Sequence, residues 1–257
     1  LRRQLLEDRE EETDQMAKRV QRYFRGLRNR VDGILGRWME RTSSDSKDFP
    51  PGFDPSMLDL PDGIPDLQAI VERAMLRMSE KTVAAINATG LAGTLEWTEQ
   101  LPFVQSVLVQ APARATMIHG TTNRAIQRGV TIALENGYSI EQLARGVPAD
   151  QFPGLRSILT ETENRARLIA RTEIMRTQNQ TSVGFFKEQG FSYVRADDID
   201  GDPDDTYIDP GDPYGRTCAE RNGQIYTVED AARIDDHPNG TLNWQPMPRN
   251  YKPEETV

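Results

Sequence analysis

The 257-residue chain has one cysteine, two histidines and only 7% aromatic residues. A single cysteine excludes an internal disulfide and any site built from several thiolates of one chain. It is also the usage expected of a reducing compartment. Scarce aromatics leave aliphatic residues and Ala to build the core. No apolar run reaches the roughly 18 residues of a membrane-spanning helix, so no membrane-spanning segment is expected. The opening residues, LRRQLLEDREEE, contain neither a Met nor an apolar signal core, and the sequence is expected to be trimmed at its start. A glycine-rich phosphate loop, an HExxH pair and a nucleophile elbow are also lacking. What is present, 37% hydrophobic and 28% charged residues, fits a globular protein of one large or two smaller domains.

The net charge of −9 is unevenly spread. Residues 1–42 carry 11 Lys/Arg against 8 Asp/Glu, residues 43–190 carry 14 against 17, and residues 191–257 carry 6 against 15. The acidic end disfavours general DNA binding. The exception is a basic run on the first helix, Lys18, Arg19, Arg22, Arg25, Arg28 and Arg30. It reads as a solvated face or as a surface for packaged DNA or an acidic partner.

Periodicity predicts an α+β fold: a mainly helical body with a small, loop-rich β end at the C-terminus. Residues 1–42 form a long amphipathic helix, with Met16, Val20, Tyr23, Phe24, Leu27, Val31, Ile34, Leu35 and Trp38 on one stripe. Tyr23, Phe24, Leu27, Val31, Ile34, Leu35 and Trp38 are expected to form a packing stripe or one that docks on a partner. Residues 43–65 are rich in Pro, Ser and Asp and read as a linker or arm. Residues 66–136 form a helical domain that opens with Asp66 as cap. Residues 137–257 form a last domain of helices followed by the β region. Within it Ser139 and Gln142 have capping-box spacing, one long helix is expected over 157–189, and FSYVRA, GQIYT and TLNWQPMP read as strands.

Two stretches carry a resemblance when read together. One is RARLIARTEIMRTQNQTSVGFFKEQGFSYVRA, which holds Arg171, Thr172, Glu173 and Asn179. The other is GRTCAERNGQIYTVEDA followed by DDHPNGTLNWQP, which holds Cys218, Asn222, Gly223, His237 and Pro238. In this order, over residues 137–248, the chain resembles the phage minor head proteins of the Mu gpF-like, or phage head morphogenesis, family. The resemblance implies a non-catalytic minor capsid protein bound in few copies at the portal vertex. It would lie in the capsid interior, be assembled in the host cytoplasm, and act in head assembly, DNA packaging or ejection. The portal protein is the implied partner, with the major capsid or scaffolding protein and packaged DNA as further ones. The alternatives are a capsid-associated enzyme, either a maturation protease or an ADP-ribosyltransferase-like protein, and a DNA-binding head protein.

The family pattern often carries more cysteines, as C-x-x-C and H-P-x-C-x-C. Here those positions hold Arg221, Gly240 and Leu242. A structural zinc site needs four N or S ligands. Cys218 and His237 supply two, and Asp235 or Asp236 would complete a poor set. The expectation is a frame that keeps its turns, a hairpin-type turn at Asn222-Gly223 and a second turn at Pro238-Asn239-Gly240, with no metal, no cofactor and no catalytic residue. Arg171 and Glu173, two apart, point to different sides of a helix and are expected to pair with neighbouring elements. The acidic loop 197–212 begins like a calcium loop. Counted from Asp198, however, Gly201 falls at position 4 and Asp209 at 12, and no Glu closes the frame. It is expected to be solvated or to meet a basic partner. His119, beside Gly120, which reads as interrupting a helix, is expected to be structural.

Overall fold

The computed structural model describes residues 1–41, 52–60, 63–198, 207–209, 211–236 and 240–253. The chain is mainly helical with a small three-stranded antiparallel sheet near the C-terminus. Its helices are α1 (Arg2–Arg41), α2 (Ile64–Thr89), α3 (Pro102–Leu108), α4 (Ala111–Glu135), α5 (Ile140–Arg145), α6 (Gly154–Asn164), α7 (Ala166–Glu188), α8 (Cys218–Arg221) and α9 (Val228–Ala231). The strands are β1 (Tyr193–Asp197), β2 (Ile225–Thr227) and β3 (Asn243–Pro246). Among the described residues, no helix is long and apolar enough to cross a membrane.

The chain forms two compact units that are interleaved in sequence. The first comprises Leu1–Met16, Glu72–Ala111 and Leu168–Val257, and the second Ala17–Val71 and Pro112–Arg167. The consecutive domains expected at 66–136 and 137–257 are therefore each shared between units. The cause lies in the long helices, because α1 and α2 each contribute one stretch to each unit.

In the first unit, β1 lies between β2 and β3, with Val194 opposite Tyr226 and Ala196 opposite Trp244. The two-residue period of a strand turns Val194 and Ala196 inward. There they share a core with Phe185 and Phe186 of α7, Val228, Leu242 and Trp244. Helix α7 is buried on nearly every side. Its interior face includes Thr172, Glu173, Thr177, Gln178, Asn179, Thr181 and Ser182 beside Ile174 and Met175. A helix this polar stays buried only if its groups find partners. Thr172 and Thr177 donate to the carbonyls one turn back, and Ser79 of α2 meets Thr181 at 3.0 Å. A Cβ on Gly184 would overlap Phe103, so α3 crosses α7 where a side chain is missing.

In the second unit, Val31 and Leu35 of α1 pack with Ile126 and Val130 of α4, Leu143 of α5, Leu155 and Leu159 of α6, and Leu58. Leu58 ends a short 3-10 turn, Pro55–Leu58, that Asp54 caps. The described part of the 43–65 segment is thus anchored in the core, and Phe53 meets Trp38 edge to face at 5.6 Å. Residues 42–51 and 61–62 of that segment lie outside the described residues.

These contacts correct the docking stripe. Phe24, Leu27, Val31 and Leu35 are at most 3% exposed. Ile34 and Trp38 are partly buried against the same core, and Tyr23 is half-buried. The amphipathic signal was real, but the chain's own helices cover that face. Three boundaries also move. Helix α2 begins at Ile64, so Asp66 lies in its first turn and is not its cap. Gly120 lies inside α4 and does not interrupt it. The helix expected over 157–189 is two, α6 and α7, divided at Arg165. Just upstream, the hydroxyls of Thr160 and Thr162 donate to carbonyls one turn back, a bonding pattern that bends helices. The Ser139–Gln142 capping box forms as expected.

Candidate functional site

Two of the motif residues, Cys218 and Asn222, meet at a buried polar cluster in the first unit. Thr217 and Glu220 close a capping box that fixes the single turn of α8. That turn sets Cys218 and Arg221, three residues apart, on one face. Asp198 follows β1, Asp236 follows α9, and Thr241 precedes β3. Arg221 is fully buried, and one nitrogen, Nη2, donates to Asp198 at 2.8 Å, Asp236 at 2.7 Å and the Cys218 sulfur at 3.3 Å. Asp198 also accepts from Thr241 at 3.0 Å, and its backbone N–H donates to Asn222. Asp236 accepts the Leu242 backbone N–H at 3.1 Å. A Cβ on Gly240 would overlap the Asp236 carboxylate, so the chain can pass here only as glycine.

A second layer joins this cluster to α1 and α7. Buried Arg9 donates to Gln178 at 2.8 Å, to Asn243 at 2.9 Å and to the Leu242 carbonyl. Gln178 donates to Asn243, which donates to the Thr241 carbonyl. The network thus runs from the N-terminal helix through the central helix to the last strand.

The electrostatics fit a closed, charge-balanced interior. Burial lowers the Arg9 pKa to about 10, against the opposing pull of Asp236. Burial alone would lower that of Arg221, but Asp236 and Asp198 outweigh it and raise it. Burial, followed by the neighbouring Asp236, raises the Asp198 pKa, while Arg221 and Thr241 act the other way. Burial and Asp236 outweigh the two short donors, which reach the carboxylate at 2.8 and 3.0 Å.

Asp198, Cys218 and Asp236 offer three ligand atoms within 4.8 Å of one another, the one such group among the described residues. A guanidinium nitrogen already bonds all three. The residues present therefore do not fit a metal beside Arg221, whose side chain supplies the positive charge that an ion would bring. Nor is the thiol placed for nucleophilic work. Reactive cysteines are partly exposed, whereas Cys218 is 1% exposed.

The other predicted residues are dispersed. Arg171 is exposed, while Thr172, Glu173 and Asn179 are buried in α7. Glu173 meets a cation, Arg176 of its own helix, at 3.5 Å, and Arg176 in turn pairs with Asp235. Asn222-Gly223 leads from α8 into β2, so it is not a strand-to-strand hairpin turn, and Gly223 takes the positive φ of +78° that the turn requires. His237, Pro238 and residues 199–206 of the acidic loop lie outside the described residues. At the described ends of that loop Asp198, Asp209 and Asp212 are buried, with Asp212 accepting from Tyr226, while Tyr207 and Ile208 are exposed.

His119 lies in the second unit, 4% exposed, with Nδ1 2.7 Å from the Tyr23 hydroxyl. Among the described residues that contact with Tyr23 is the one hydrogen bond the His119 ring makes. A cavity of about 400 Å³ in the first unit, lined by Phe103, Gln110, Gln180, Gly184 and Lys187, contains no predicted site residue. Sequence reasoning missed Arg9, Gln178, Asp198, Arg221 and Asn243 as a working group. The available signal was Arg221 at the second position of the C-x-x-C frame, a cation where the pattern has a ligand. No family model matches the chain, and no curated protein or solved structure matches it either.

Proposed function

We propose that the chain is a structural, non-catalytic minor head protein of the Mu gpF-like type, held by the portal protein at the vertex inside a phage capsid. One observation carries the reading. Cys218 and Asn222 of the motif join a cluster in which one Arg221 nitrogen bonds Asp198, Asp236 and Cys218, with Arg221 fully buried at its centre. Such a cluster fixes a fold and leaves no open face for a substrate. The portal contact falls to exposed surface, since the apolar stripe of α1 is covered within the chain.

The test is co-purification of the intact chain with the portal protein of the same phage. A stable complex with few copies per portal ring is expected. The reading fails if no complex forms and the chain instead cleaves capsid protein or turns over NAD, with that turnover lost in His119→Gln, Cys218→Ser or Glu173→Gln.

A further inference from the structure

The Arg221 cluster balances its own charge, with Arg9 and Arg221 acting on Asp198 and Asp236. The acids at its edge are less well matched. Arg176 is shared by Glu173 and Asp235. Asp209, 2% exposed, forms no ion pair among the described residues. Arg221 acts on it from beyond ion-pair distance and is already shared by Asp198 and Asp236. Burial raises the Asp209 pKa, against the pull of the Gly211 N–H. A buried carboxylate without a cation is costly, and such groups pair with one or coordinate a metal.

The Asp209 carboxylate is half satisfied. Its Oδ1 accepts the Gly211 backbone N–H at 2.6 Å, and the Asp235 backbone N–H points at the same group. Its Oδ2 is buried and has no hydrogen-bond partner. Protonation would not resolve this, because a hydroxyl at Oδ2 would need an acceptor and finds none. The Arg233 carbonyl also accepts no hydrogen bond among the described residues. A Cβ on Gly211 would overlap that carbonyl oxygen and lie 3.0 Å from Asp209 Oδ1. The two oxygens are therefore within about 5 Å of each other, a span that one ion with bonds of roughly 2.3–2.6 Å to oxygen bridges. Two residues past Arg233, the Asp235 side chain is 35% exposed and brings a second carboxylate to the rim.

We infer that Asp209, Asp235 and the Arg233 carbonyl form a calcium site between the end of the acidic loop and the turn that follows α9. Every donor is an oxygen, which suits a hard cation and not zinc. The donors come from irregular backbone and leave the outer side to water. Ca²⁺ accepts such a set, whereas Mg²⁺ demands a near-ideal octahedron and gives up its own water reluctantly. The ion would supply the positive charge that Asp209 lacks and tie the two segments together. The site is separate from Asp198, Cys218 and Asp236, whose cation is Arg221. The inference goes beyond the portal-bound reading and does not depend on it.

The test is isothermal titration of the chelator-treated intact chain with calcium chloride, alongside thermal melts. One Ca²⁺ per chain is expected, with a Kd of about 10⁻⁴ to 10⁻³ M, the weak end of calcium sites, and Mg²⁺ at least about tenfold weaker. Ca²⁺ at about ten times Kd is expected to raise the melting temperature by about 3 °C or more. Asp209→Asn keeps the shape of the side chain and removes its charge. It is expected to fold, to weaken Ca²⁺ binding at least about tenfold and to abolish the thermal shift. Asp235→Asn, at the rim, is expected to weaken binding by a similar factor and serves if Asp209→Asn does not fold. Asp200→Asn/Asp202→Asn/Asp204→Asn removes three charges from the loop outside the described residues and is expected to bind within about threefold of the parent. The inference is overturned if the parent binds no Ca²⁺ at 10 mM, if Mg²⁺ binds as tightly, or if Asp209→Asn and Asp235→Asn bind as the parent does. It is also overturned if the triple variant weakens binding as much as they do, because the ion would then be held by the loop's general negative charge.

Discussion

At the scale of single residues, Arg221 and His119 show how burial decides what a charged or titratable group does. Three ligand atoms around one guanidinium nitrogen make a cation site that is already filled. Arg221→Cys should vacate it and add a thiolate, so this variant is expected to bind Zn²⁺ with 1:1 stoichiometry, while the parent does not. Isothermal titration with the metal checks this, and equal binding by the parent would mean that the ion uses other residues. For His119 the sign follows from its surroundings. Burial lowers its pKa, and Asp59 only partly offsets that. The unfolded chain therefore takes up the proton first as pH falls, at the ordinary value near 6.5. Stability from the neutral ring is complete above that pH and is lost below it. The melting temperature should fall between pH 7 and 5, and His119→Gln should flatten that part of the profile. Parallel profiles would assign the acid sensitivity to other groups.

At the scale of elements, the central helix α7 carries the least familiar feature of the fold, a polar interior. Its partners are side chains from α1, α2 and β3, and the close crossing of α3 depends on Gly184. Gly184→Ala would force Phe103 outward and is expected to cost about 1–3 kcal/mol, as overpacking does, measurable by urea unfolding. Much of this level was legible in the sequence. The α1 stripe, the Ser139 cap, the three strands and the change of period after Gly190 follow from local pattern, and local pattern survived folding. The break at Arg165 was not legible, because an uninterrupted helical period cannot show hydroxyl back-bonding. The stripe on α1 was legible as apolar but not as covered, since periodicity reports that a face is buried without saying by what. The Arg221 cluster joins residues up to 43 positions apart, such as Asp198 and Thr241. No short window contains it.

At the scale of the whole molecule, the interleaved units make the N-terminal helix a shared structural member. Leu5, Arg9 and Glu12 are buried in the first unit, and Arg9 holds Gln178 and Asn243 there. Val31 and Leu35 belong to the core of the second. Deleting residues 1–41 is therefore expected to unfold the chain, not merely to detach it from a partner. Circular dichroism and a melt of the truncated protein check this, and a cooperative melt near that of the parent would contradict it.

The central claim is that the Arg221 cluster fixes the fold of the first unit, and a set of urea-unfolding curves tests it most directly. Removing one partner of a buried ion pair leaves uncompensated charge and costs about 3–5 kcal/mol, whereas neutral replacement of the whole group is often close to neutral. Arg221→Met is thus expected to lose about 3–5 kcal/mol, and Arg221→Met/Asp198→Asn/Asp236→Asn is expected to recover at least about half of that loss. A loss below about 1 kcal/mol in the single variant, the size of a surface ion pair, would contradict the account.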